Sequence, residues 1–214
     1  MKNKFFGSSF GILGDSYATF QGWITPGNAC YYPKPEKVDD VLRVEDTWWH
    51  QLMVRNELKL LVNDSCSGAT VCTHVRPSLP FSSAFTERVK RSFTGQYQPD
   101  FIFLFGGTND SWLERTIGQV QFSHWTESDL QQVLPAYCQV LETLTVHNPQ
   151  SVVVSVVNTD LHPRIHEGIL CANAHYGAIS VVLSDIHKQN KHPSALGMHQ
   201  IAQQIEAVLL ALET

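Results

Sequence analysis

Asp100-Phe-Ile-Phe-Leu-Phe105-Gly-Gly-Thr-Asn-Asp110 decides how the chain is read. Five apolar residues in unbroken succession predict a strand buried on both faces, because a half-exposed strand alternates apolar and polar positions. The Gly-Gly pair ends that strand in a turn, and polar residues follow at once. Four other short runs have the same character: Phe10-Gly-Ile-Leu13, Leu58-Lys-Leu-Leu-Val62, Ser151-Val-Val-Val-Ser-Val-Val157 and Ile179-Ser-Val-Val-Leu183. Segments of helical period separate them. Asp46 or Thr47 caps a helix bearing Trp48 and Leu52, and Thr126 and Ser128 precede a long one bearing Leu130, Val133, Leu134, Tyr137, Leu141 and Leu144. A third covers 164–176, and a fourth, over 194–212, carries Leu196, Ile201, Ile205 and Leu209. Alternating strands and helices predict an α/β fold, a parallel sheet with right-handed crossovers and helices on both faces. In such sheets ligands bind at the carboxyl ends of the strands, near the point where strand order reverses.

Composition narrows the class. Of 214 residues, 43% are hydrophobic and 16% charged, against roughly 25% charged in ordinary domains, which excludes a disordered, charge-rich chain. A net charge of −5 with no Lys/Arg stripe argues against a nucleic-acid binder. Five cysteines, with no C-x2-C pair, form neither a disulfide framework nor a zinc knuckle. His162 and His166, and His187 and His192, have helix-like spacings but no complete ligand set around them, so no metal is expected. No run approaches the ~18 apolar residues of a membrane span. The start, up to Gly14-Asp15-Ser16, leaves no room for a signal peptide. The expectation is a cytoplasmic, single-domain protein over 1–214 whose oligomeric state the sequence leaves open. One segment, 21–46, is a long non-periodic insertion after the first strand, and insertions of that length usually carry function.

The strand ends hold the chemistry. Gly14-Asp-Ser16-Tyr follows the first strand, Asn63-Asp-Ser-Cys-Ser-Gly68 the second, and Gly106-Gly-Thr-Asn109-Asp the third, while His192-Pro-Ser-Ala-Leu-Gly197 leads into the last helix. A serine hydroxyl needs a hydrogen-bonded base to become a nucleophile, most often His. The tetrahedral oxyanion that follows needs preorganised donors. Ser16 supplies the hydroxyl and its own N–H, Gly68 a second N–H, Asn109 a side-chain amide, and His192 the base. Asp15 and Asp110 read as residues that secure their turns by local hydrogen bonds.

With these four blocks in this order, the chain resembles the SGNH (GDSL-type) hydrolase superfamily. The resemblance covers nearly its whole length and implies a flavodoxin-like three-layer sandwich around a central five-stranded parallel sheet. It also implies Ser16 as nucleophile, Ser16, Gly68 and Asn109 as oxyanion hole, His192 as base, and no cofactor. The substrates it implies are esters of small acyl groups, lipids or acylated sugars. One position departs from the pattern. The family places an Asp three residues before the His, where this chain has Gln189. Three arrangements remain: a Ser–His dyad oriented by Gln189 or a backbone carbonyl, Asp185 acting in its place, or low activity. Gln189 is the expected orienter.

Trp23, Tyr31 and Tyr32 fall in the insertion, and Trp112 follows the Asn109 turn. Aromatic faces beside a reactive serine suit sugar rings or a short acyl chain, and Trp112 is the candidate pocket wall. Trp48 and Trp49 have the spacing of core positions. The expected protein is a carboxylic ester hydrolase acting through a Ser16 acyl-enzyme on a small-molecule or carbohydrate ester, an O-acetylated sugar in particular. No lid or amphipathic membrane helix points to lipid. The rival is a non-catalytic or weakly active module that binds acylated glycans in the same pocket. The missing Asp favours it, and the intact donors weigh against it.

Overall fold

The computed structural model describes residues 5–34, 36, 39–73 and 83–212. Strands β1 (Ser9–Gly14), β2 (Lys59–Asn63), β3 (Phe101–Phe105), β4 (Val152–Val157) and β5 (Ile179–Val182) form one all-parallel sheet in the order β2-β1-β3-β4-β5. The central strand is β3, whose Phe103 is in register with Ile12 on one side and Val154 on the other. The chain runs outward from β1 to β2 and then crosses back to β3, so strand order reverses between β1 and β3. Ser16 and Asn109 lie just past the carboxyl ends of those two strands, where the crevice of a doubly wound sheet opens.

Helices α1 (Trp48–Arg55), α2 (Phe85–Phe93), α3 (Thr108–Trp112), α4 (Val133–His147), α5 (Pro163–Tyr176) and α6 (Ala195–Ala211) complete the sandwich. The unbroken apolar run of β3 serves both faces. Phe101, Phe103 and Phe105 pack with α1 and α6, whereas Ile102 and Leu104 pack with α2, α4 and α5. Trp48 and Trp49 are fully buried in the first of these cores. Trp23 is instead 41% exposed, leaning on Trp49 with ring centroids 5.6 Å apart.

The expected strands are all present, and the helix boundaries differ at one place. Helix α4 starts at Val133 rather than near 126–128, because Thr126 is tied to Asp129 of a separate 3-10 turn, Asp129–Gln131. Pro135, which cannot donate a backbone bond, then sits in the first turn of α4, where none is required. Thr47 and Ser194 cap α1 and α6 through the N–H groups of His50 and Gly197. Among the described residues no helix is long and apolar enough to cross a membrane.

Candidate active site

Gly14 ends β1, and Ser16 opens a single 3-10 turn, Ser16–Ala18. Asp15 caps that turn by accepting the Tyr17 N–H at 3.0 Å, the local role read for it. The Ser16 hydroxyl lies 3.0 Å from Nε2 of His192, although the two residues stand at opposite ends of the chain. Ser16 is almost fully buried and His192 half-buried, so the imidazole forms the solvent side of the pair.

Past the carboxyl ends of β2 and β3, two loops are stitched together. Gly107, at φ +95°, turns the chain out of β3 into α3, a conformation that favours glycine. The turn carries Asn109 inward, where its amide donates to the Ala69 carbonyl at 3.0 Å. Gly68, two residues beyond Cys66, is also left-handed, at φ +79°. The fully buried Asp110 accepts the Val71 N–H at 2.9 and 3.1 Å and the Cys72 N–H at 3.2 Å. Its bonds are therefore long-range rather than local, and they lock the loop after β2 to the start of α3. Burial pushes the Asp110 carboxyl above its ordinary range, with the Val71 and Cys72 bonds opposing. Burial also pushes Asp15 from 3.8 to about 6, against the Tyr17 N–H and the Thr108 hydroxyl.

His192 sits on a small hairpin, β6 (Lys188–Gln189) against β7 (His192–Pro193). Asn190 and Lys191 join the strands with φ of 47° and 65°, the sign at both central residues that a type I′ turn requires. This fold of the backbone brings the Asn190 carbonyl to 3.0 Å from Nδ1 of His192. Gln189 pairs with His192 across the hairpin, but its side-chain oxygen accepts the Asp40 N–H at 3.3 Å. The Gln189 side chain thus contacts the insertion, and a main-chain carbonyl, the other acceptor the sequence reading allowed, stands beside Nδ1. Asp185 is exposed in a left-handed turn after β5.

Side chains of the insertion clasp the hairpin. Tyr32 donates its hydroxyl to the Pro193 carbonyl at 2.7 Å, and Asp40 accepts the Ala195 N–H at 2.7 Å. From the Ser16 turn, Tyr17 donates to the Lys191 carbonyl at 2.5 Å. Burial pushes the Tyr17 and Tyr32 phenols far up, so both remain neutral donors. Trp112, at the end of α3, stands 5.6 Å from the imidazole, ring centre to ring centre. The long insertion hinted at these contacts; the roles of Tyr17, Tyr32 and Asp40 had no local sequence signal, because each partner lies far away along the chain. An open cleft of about 660 Å³ along the outer edge of β2, lined by residues such as Trp23, Met53, Leu60 and Tyr97, includes neither Ser16 nor His192.

The five-stranded parallel sheet between helices, with Ser16 just past the end of β1 and His192 Nε2 3.0 Å from it, defines the class as a flavodoxin-like α/β sandwich with a Ser–His pair at its switch point. The chain belongs to the GDSL-like lipase/acylhydrolase family, whose profile matches residues 8–209. A crystal structure from Bacteroides ovatus, described as a GDSL-like lipase, is 35% identical, covers 97% of this chain and 99% of its own, and superposes with a TM-score of 0.88. A second, from Bacteroides uniformis, is also 35% identical, with coverage of 95% and 96% and a TM-score of 0.87. A family two carbohydrate esterase from Clostridium thermocellum, solved with cellohexaose, shares the fold at 12% identity and a TM-score of 0.61, covering 96% of this chain and 64% of its own. No curated protein matches the sequence.

Proposed function

We propose that the protein is a serine esterase that cleaves a small carboxylic ester, an O-acetylated carbohydrate in particular, through a Ser16 acyl-enzyme. The observation that carries this reading is the 3.0 Å approach of Ser16 Oγ and His192 Nε2. The Asn190 carbonyl can only accept, so it selects the tautomer with the proton on Nδ1, which leaves Nε2 as the base. As Oγ attacks the ester carbonyl, its proton passes to Nε2. The oxyanion forms toward the Ser16 and Gly68 N–H groups and the Asn109 amide, whose second N–H remains after the bond to Ala69. His192 then returns the proton to the departing alcohol, and a water activated by the same nitrogen releases the acid.

The tautomer is fixed here by a dipole rather than by a carboxylate. Replacing the acid by a neutral group lowers turnover about 10⁴-fold in the serine-protease case, where the replacement also imposes the wrong tautomer. A carbonyl avoids that second fault. Trp112, partly exposed beside the imidazole, offers a ring that suits a sugar, and a carbohydrate esterase of the same fold was solved with cellohexaose. A fluorophosphonate probe should label Ser16, and Ser16→Ala should abolish hydrolysis of p-nitrophenyl acetate and of acetylated sugars without loss of fold. Full activity in that variant overturns the reading. An unlabelled wild-type protein that still binds an acetylated glycan identifies the binding-module alternative, which the missing acid favours.

A further inference from the structure

His192 lies in an aromatic enclosure, and one member differs from the rest. Tyr17, Tyr32 and Trp112 approach the imidazole tilted or edge-on, with centroids 5.4, 6.4 and 5.6 Å away. Tyr31 is stacked flat on it, 3.6 Å between centroids and 9° between planes. The Tyr31 ring is placed from the nucleophile's own turn. Its N–H donates to Thr19 Oγ1 at 3.0 Å, and that hydroxyl donates to the Ser16 carbonyl at 3.0 Å. Behind the phenol lies Asp39, only 6% exposed, with one carboxylate oxygen buried and unpartnered. Burial pushes the Tyr31 phenol up, and the negative charge of Asp39 pushes it further.

We propose that Tyr31 is the positioning residue that takes over the work of the absent triad acid. Its ring fixes the plane of the His192 imidazole, and its face, made electron-rich by Asp39 behind the hydroxyl, stabilises the imidazolium formed when Nε2 takes the Ser16 proton. The role in turnover rests on the esterase reading above.

The Asn190 carbonyl sets the tautomer but offers only a dipole to the positive ring. An aromatic face is the negative end of a quadrupole, and a cation over it gains more as water is excluded. Burial of Tyr31 provides that exclusion. The other charges nearby are divided. Lys34 Nζ lies 4.3 Å from the Tyr31 centroid and Lys191 Nζ 5.7 Å from that of Trp112, both opposing a positive imidazole. Lys188 reaches toward the Tyr17 ring at 5.6 Å but is ion-paired with Asp160 at 2.6 Å. Asp39 and Glu36 act on Tyr31 with negative charge, Asp15 lies behind Tyr17, and Asp40 is bound to the start of α6. Among these acids, Asp39 is the buried one whose charge acts on the stacked ring.

The test is an NMR titration of the His192 ring, assigned by the signals lost in His192→Gln, in the wild type, Tyr31→Phe, Tyr31→Leu and Asp39→Asn. Tyr31→Leu should lower the midpoint by about one pH unit, the size of a well-desolvated cation–π contact, and Asp39→Asn should lower it by less. In kinetics, Tyr31→Leu should lose about tenfold in kcat at nearly constant KM, with the acid limb of kcat/KM moving down alongside the midpoint. Tyr31→Phe, which keeps the ring, should recover most of that loss. An unmoved midpoint in Tyr31→Leu overturns the proposal. If that variant fails to fold, unmoved midpoints in both Tyr31→Phe and Asp39→Asn overturn it. Because the titration needs no turnover, the two readings separate: a shifted midpoint without Ser16-dependent hydrolysis refutes the esterase, and normal hydrolysis with an unmoved midpoint refutes the stack.

Discussion

The two halves of the candidate site are built by different means. The half that carries Asn109 and Gly68 is rooted in the sheet: Gly107 turns directly out of β3, and buried Asp110 binds the backbone of the facing loop. The half that carries His192 stands on a hairpin with two residues per strand, held by Tyr17, Tyr32 and Asp40. The first half is fixed by main chain and buried charge, the second by side chains that arrive from elsewhere. Preorganised donors must not move while charge develops, whereas a base must pivot slightly between accepting and returning a proton. The contrast matches those demands.

Four variants probe it. Asn109→Ala removes a sheet-rooted donor and should lower kcat about 10²–10³-fold with little change in KM, as measured by steady-state hydrolysis. A loss below tenfold would place the oxyanion elsewhere. Asp15 is next. Its raised pKa means that the native state keeps a proton the unfolded chain releases between pH 3.8 and about 6. Stability is therefore fully present below that window and falls as pH rises through it, by about 3 kcal/mol, with Asp110 acting in the same direction. Urea midpoints taken from pH 4 to 7 should show that slope, and Asp15→Asn should flatten it. Tyr32→Phe removes one clasp bond to the hairpin and should cost about 1 kcal/mol in chemical denaturation. A cost of zero would mean that the hairpin holds itself. Smallest is Gln189→Ala, for which turnover should change by less than about twofold, since only the long bond to the Asp40 N–H is lost. A tenfold drop would return Gln189 to the orienting role.

Those expectations also mark what could be read in the chain beforehand. The sheet was legible because its inner strands β1, β3 and β4 are buried on both faces, which leaves nearly unbroken apolar runs there, and the edge strands β2 and β5 keep short apolar stretches. Ser16, Gly68, Asn109 and His192 stood out as candidates because each follows a strand end or precedes a capped helix, and the structure places Ser16 and His192 together. Helix α2 was not singled out: Phe85, Val89 and Phe93 recur at helical spacing, but the segment has only these three apolar residues among polar and charged ones, and it buries Thr86, Arg88 and Ser92 beside them. Gln189 was expected to orient His192 because it occupies the position of the usual acid. The I′ turn supplies the other acceptor that the sequence left open, since two left-handed residues direct the Asn190 carbonyl at the imidazole. Tyr31 was noted as an aromatic residue in the insertion, but its stack on His192 joins two distant segments, and no local pattern encodes such a contact.

In the proposed mechanism the acceptor that orients the imidazole belongs to the peptide backbone, and this alters how the site responds to mutation. A carboxylate in that place is lost with one codon change. The Asn190 carbonyl survives every replacement of its own side chain, provided the new residue tolerates a positive φ. Selection at positions 190 and 191 therefore acts on torsion angles rather than on functional groups, and sequence comparison there would report turn-forming residues while the oxygen itself stays invisible.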